Sequence, residues 1–180
     1  KLRNSFIKSN KEAKLSSYSS LSKIYTSMHL VDVQTKRYHV VKMTDQILEC
    51  LGKDFKKMGE YEIRDDFCGH INDIAEKVCV ESQLQEALEF IDISTLEERL
   101  LGENSITHEF IDKISGWCRS RFIPVDYDEN GRLLHVLFCI ECIEEEKKRE
   151  NRLIYLARTD LMTGLCNRGS GEKRITELLK

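Results

Sequence analysis

Residues 132–142 read RLLHVLFCIEC, a run that is apolar on both sides of an extended chain. Alternate side chains of a strand point to opposite faces. Leu134, Val136, Phe138 and Ile140 therefore share one face, and Leu133, His135, Leu137 and Cys139 share the other. A strand with two apolar faces belongs inside a sheet that is covered on both sides. Just before it, Asp128-Glu129-Asn130-Gly131 follows a second strand-like run, WCRSRFIPVDY (117–127). Asn-Gly between two such runs predicts a hairpin, because both residues tolerate positive φ. A third run, SITHEFID (105–112), leads into the second through Lys113 to Gly116.

The first half predicts two more strands. MHLVDVQ (28–34) and RYHVVKM (37–43) flank Gln34-Thr35-Lys36 and read as a hairpin. Thr44 can cap a helix over DQILECLG (45–52), and residues 53–69 read mostly as loop. Helical spacing returns in HINDIAEKVCV (70–80), in SQLQEALEFI (82–91) and in STLEERLLG (94–102). In the last of these, Ser94-Thr95 precede Glu97-Glu98 as in a capping box. At the front, Leu15, Tyr18, Leu21, Ile24 and Met28 form the stripe of an amphipathic helix over residues 1–27. At the back, EEEKKRENRLIYLAR (144–158) is a solvated helix with Glu144–Lys148 and Glu145–Arg149 in the favourable order. Its apolar seam is thin: Ile143, Ile154 and Ala157. The expected fold class is α+β, with five antiparallel strands in one sheet, helices on one face, and amphipathic helices at both ends.

Charge and cysteine content narrow the function classes. The net charge is -3, with no basic stripe, which excludes a nucleic-acid partner. No apolar run approaches the ~20 residues of a membrane span, so the expected location is cytoplasmic, with an anchor upstream of Lys1 left open. Seven cysteines at irregular spacing point to reduced thiols. Cys139 and Cys142 form the sole CxxC; on a strand, residues three apart face opposite ways, which argues against joint chelation. His29, His39 and His135 fall on strands that one sheet would bring together. Strand histidines are ordinarily packed or hydrogen-bonded, and no carboxylate is spaced to complete a ligand set, so no metal is expected. Trp117, Arg119 and Arg121 share a strand face, read as an exposed or dimer-facing ladder, or alternatively an anion site. Asp65, Asp66, Asp126 and Asp128 read as solvated loop acids. No nucleophile and base are spaced for catalysis.

The element order over residues 28–143 resembles a PAS domain, a sensor fold. ARTDLMTGLCNR (157–168) resembles the opening of the GGDEF domain of bacterial diguanylate cyclases, which begins Asp-x-Leu-Thr-Gly-Leu-x-Asn-Arg after a helix. Asp160, Met162, Thr163, Gly164, Leu165, Asn167 and Arg168 fall on that pattern, with Met162 replacing Leu. Many PAS domains end their last strand with Asp-Ile-Thr; Cys142-Ile143-Glu144 stands there. The chain opens on Lys and closes soon after this match, so it is expected to be a fragment. Its domains would be a signalling helix (1–27), a PAS-like sensor (28–143), a linker helix (144–159) and the start of a GGDEF domain (160–180).

The resemblance implies a regulatory region for cyclic di-GMP synthesis. The GG(D/E)EF signature, the metal-binding Asp and the guanine-contacting residues are absent. No catalytic residue and no cofactor is therefore expected in these 180 residues, and GTP with Mg²⁺ would belong to the parent enzyme. Expected partners are a second copy, pairing through the end helices, and a small molecule of unknown identity in the PAS core. Asp160, Thr163, Gly164, Asn167 and Arg168 would form the turn into the next domain: Asp160 accepting from Thr163, Gly164 taking positive φ, and Arg168 within reach of Asp160. A short helix is expected over 171–179. The alternatives are a ligand-free PAS spacer and a sensor before a degenerate GGDEF or phosphodiesterase output.

Overall fold

The computed structural model describes residues 24–45, 63–160 and 162–178. The helices expected over 1–27 and 45–52 thus lie largely outside the described residues. The chain divides into two compact units, Lys1–Cys142 and Ile143–Lys180.

The first unit is built on one antiparallel sheet. Its strands are β1 (Tyr25–Asp32), β2 (Tyr38–Met43), β3 (Ile63–Arg64), β4 (Ile106–Asp112), β5 (Gly116–Tyr127) and β6 (Leu133–Cys142), in spatial order β3-β2-β1-β6-β5-β4. Between β3 and β4 run α1 (Phe67–Val78), α2 (Glu81–Ile91) and the single turn α3 (Leu96–Arg99). The unit is α+β as expected, but among the described residues the sheet has six strands rather than five. The extra strand, β3, is two residues long and pairs Tyr38 with Arg64 and His39 with Ile63. So short a strand has no period to detect, and it lay inside the stretch expected to be loop.

The doubly apolar run does occupy the sheet interior, with β6 paired to β1 on one side and β5 on the other. On the helix face, Val136 and Phe138 pack with Phe67, Ile71, Ala75, Phe122 and Ile91. Phe67 meets Phe138 edge-on at 5.4 Å, and Phe122 lies 4.8 Å from Phe138, the geometry aromatic quadrupoles prefer. On the other face, Leu137 and Cys139 pack with Met28 and Leu30.

Several boundaries move for local reasons. β1 begins at Tyr25, so the helical reading is wrong for residues 25–27, which are strand, and Ser27 is buried. β1 ends at Asp32 because the Asp32 carboxylate accepts from the Gln34 and Thr35 N–H groups at 3.0 and 2.9 Å, pulling Val33 and Gln34 into the turn. α1 starts at Phe67 instead of His70, since Asp66 in a left-handed conformation caps it by accepting from Gly69 N–H. The capping box expected at Ser94-Thr95 is replaced: the Asp92 carboxylate accepts from Ser94, and the Thr95 side chain makes no capping bond. The Asn-Gly hairpin forms, yet only Gly131 has positive φ. There Asp128 N–H donates to the Arg132 carbonyl, and the Asp128 carboxylate accepts from Asn130 and Arg132 N–H.

The second unit holds α4 (Glu144–Arg158), a tight turn and α5 (Arg168–Leu178). Glu144 and Lys148 pair at 3.6 Å along α4. α4 buries none of its side chains, and Leu153, Ile154, Tyr155 and Leu156 are exposed. Among the described residues no helix is long and apolar enough to cross a membrane.

Candidate functional site

Two places gather polar chemistry. The first is the corner between α4 and α5. A single carboxylate oxygen of Asp160 accepts from Met162 N–H at 3.2 Å, Thr163 N–H at 2.9 Å and the Thr163 hydroxyl at 2.8 Å. These bonds favour the ionised form and hold the Asp160 carboxyl below its usual range. Gly164, at φ +71°, donates its N–H to the Asp160 carbonyl, and Asp160 N–H donates to the Leu165 carbonyl. A side chain there would be strained by that φ.

Asn167 closes the corner from the other side. Its N–H donates to the Arg158 carbonyl and its Nδ2 to the Ala157 carbonyl at 2.7 Å, satisfying two terminal acceptors of α4. Its Oδ1 accepts from Ser170 N–H, capping α5. One side chain thus ties the end of one helix to the start of the next. Arg168 does not turn back to Asp160. It pairs with Glu172 at 2.9 Å, one turn along α5, because α5 begins at Arg168 rather than near Gly171. Asp160, Thr163, Gly164 and Asn167 are therefore brought together, and Arg168 faces away from them.

The second place is a cleft of about 50 Å³ between α1 and the sheet, whose lining includes Ser27, His29, Ile71, Ile74 and Ile140. His29 is 2% exposed and packs edge-on against Tyr38 at 5.7 Å. Burial, reinforced by the charge of Arg64, lowers its pKa to about 3, so the ring is neutral at physiological pH. Its Nδ1 is buried without a hydrogen-bond partner. A buried polar atom left unsatisfied costs on the order of 1–3 kcal/mol, and this one lies on a side chain that lines the cleft.

The other residues singled out from sequence fall as follows. The three histidines do not converge. His29 lies on the helix face opposite Phe138, while His39 pairs with Leu30 on the far face. His135 is bonded through Nδ1 to Asp126 at 2.7 Å. Among the described residues no three metal-ligating side chains gather. Arg119 bonds Glu109 at 2.7 Å and Glu141 at 3.2 Å, and Arg121 lies 3.5 Å from Glu141. Cross-strand carboxylates thus neutralise the ladder, which leaves the anion-site reading without support. The loop acids are not merely solvated: Asp65 pairs with Arg37 at 2.8 Å, Asp66 caps α1, Asp126 holds His135 and Asp128 closes a hairpin.

Sequence reasoning named His29 for a site of another kind, and missed its place in the cleft. What separates His29 from His39 is the register of the β1–β2 hairpin, which sets His29 against Val40 and His39 against Leu30.

No protein-family model matches the chain, and no curated protein matches it. Similar solved structures include two sensor proteins. One is a domain of a histidine kinase described as light and redox sensing, from Haloarcula marismortui, with TM-score 0.39 and 13% identity over 70% of this chain and 97% of that one. The other is a sensory box histidine kinase/response regulator from Burkholderia thailandensis E264, with TM-score 0.39 and 13% identity over 71% of this chain and 83% of that one.

Proposed function

We propose that these 180 residues are the sensor and dimerisation region of a bacterial diguanylate cyclase and carry regulation, not chemistry. The observation that carries the reading is the clamped corner. The stretch that resembles the start of a GGDEF domain joins α4 to α5 through Asp160 and Asn167, so a rotation of α4 moves α5 with it. The α+β unit before it has the element order the PAS resemblance implies, and the cleft beside His29 supplies a place for a small ligand. The exposed apolar side chains of α4, Leu153 to Leu156, suit pairing with a second copy. A ligand or an upstream movement would shift the population of two helix pairings and re-aim two catalytic domains.

A second reading, a ligand-free PAS spacer, draws support from the cleft's size. About 50 Å³ holds little more than a few waters, and the aromatic cluster fills the rest. Native mass spectrometry of the purified protein separates the two: a retained small molecule favours the sensor, and a bare dimer favours the spacer. For the cyclase assignment, the chain is extended with the residues that follow Lys180 in its gene and assayed with GTP and Mg²⁺. The extended protein should make cyclic di-GMP and the 180 residues should make none. GTP turnover by the 180 residues, or a following sequence without a GGDEF signature, would sink it.

A further inference from the structure

Cys118 and Cys142 stand directly opposite each other across the β5–β6 ladder. Residues opposite in an antiparallel pair project to the same face, with Cα atoms about 4.5–5.5 Å apart. A disulfide spans Cα separations of about 4.4–6.8 Å, so the backbone already meets the requirement and only the side chains need turn. The environments are complementary. Cys118 is buried among Cys79, Ala87 and Phe110, whereas Cys142 is exposed and its thiol donates to the Ser115 carbonyl at 3.4 Å. Cys142 is also the last residue of β6, immediately before Ile143, the N-cap residue of α4.

We propose that Cys118 and Cys142 form a cross-strand disulfide when the protein meets a hydroperoxide, making the last rung of the sheet before α4 a reversible oxidation site. The exposed Cys142 sulfur attacks one peroxide oxygen; the O–O bond breaks, and Cys142 becomes a sulfenic acid while water or an alcohol leaves. The Cys118 sulfur then attacks the Cys142 sulfur. The S–S bond forms, the S–O bond breaks, the Cys118 proton leaves with the hydroxide as water, and two electrons have passed from the thiol pair to the peroxide. A thiol reductant reverses the step by exchange.

The other described cysteines are placed less well for it: Cys68 lies on α1 with its thiol directed at the Ile91 carbonyl, away from the β5–β6 ladder. Cys139 pairs with Arg121 and packs on the opposite sheet face with Met28 and Leu30. Burial also pushes its thiol up to about 12, which keeps it protonated and unreactive. Cys79 is a neighbour of Cys118 but is itself buried, so an oxidant reaches it no sooner than Cys118. Cys166 is exposed in the second unit.

The test treats the full 180-residue protein with equimolar hydrogen peroxide, blocks remaining thiols, and maps peptides by mass spectrometry without reduction. The expected product lacks two hydrogens, links the Cys118 and Cys142 peptides within one chain, and returns to the starting mass with dithiothreitol. Cys142→Ser, at an exposed position that leaves the core untouched, should abolish the link, and Cys79→Ser should keep it. The proposal is overturned if Cys142 accumulates as sulfinic acid, if it links to a second chain, or if Cys118 is found joined to Cys79.

Discussion

The sheet unit and the helix-corner-helix unit turn the chain by the same device and hold themselves together by different ones. Asp32, Asp112 and Asp160 each present one carboxylate oxygen to the N–H groups two and three residues on. In the sheet unit those turns are followed by β2 and β5, strands of a sheet in which Phe122 on β5 and Phe138 on β6 are fully buried. In the second unit the turn is followed by α5, and α4 before it buries nothing. Local hydrogen bonding is therefore enough to shape a corner, while apolar burial decides how strongly the surroundings resist change. A rigid core joined to a sharply defined but lightly packed corner suits a part that relays motion.

The largest test of that contrast is Phe138→Ala. It removes a ring that touches Phe67 and Phe122, and should cost about 3–5 kcal/mol. Urea unfolding followed by Trp117 on β5, the chain's single tryptophan, reads it directly. A loss below 1 kcal/mol would mean the aromatic cluster is not the anchor.

Next comes pH. His29 titrates near its ordinary value in the unfolded chain and at about 3 when folded. Between those values the unfolded chain binds the extra proton, so stability falls as pH drops. From pH 6.5 to 5 the sheet unit should lose about 2 kcal/mol from this residue. His29→Phe should flatten that part of the curve; an unchanged slope would place the titration elsewhere.

In the second unit, Asn167→Ala removes the α5 cap and should cost about 1 kcal/mol, seen as faster amide exchange at Ser170 and Gly171 with Trp117 unfolding unmoved. Acid should act there as well. The Asp160 carboxylate is held below its usual range, so its bonds persist at neutral pH and are lost as pH falls through that lowered value. Smallest of all is the partly exposed Arg119 ladder. Arg119→Gln should change stability by about 0.2–1 kcal/mol, less in high salt.

Much of this was readable from residue order. The β4–β5–β6 meander lies within a residue of its expected bounds, since a doubly apolar run, an Asn-Gly turn and a Gly116 stop all agree. The bonding of Asp160 with Thr163 and the positive φ of Gly164 were readable too, because short-range bonds follow from spacing, whereas the double tie made by Asn167 was not. What was not readable depends on long-range pairing. β3 exists because β2 offers it an edge, and β1 extends back to Tyr25 because β6 is there to pair with it. The partner of Arg168 was missed because α5 starts three residues earlier than its glycines suggest. The cleft was missed because its lining is drawn from α1 and from five strands, β1, β2, β4, β5 and β6, which lie far apart in the chain.

On the proposed function, α4 passes rotation through a clamped corner to whatever follows. That coupling is tested most directly by placing residues 1–168 in register before a diguanylate cyclase catalytic domain and inserting residues one at a time after Glu150. Each insertion turns the helix about 100°. Cyclase activity should fall with one or two added residues and recover near full turns, with the oscillation lost in Asn167→Ala. Activity that is flat, or that declines steadily with length, would contradict it.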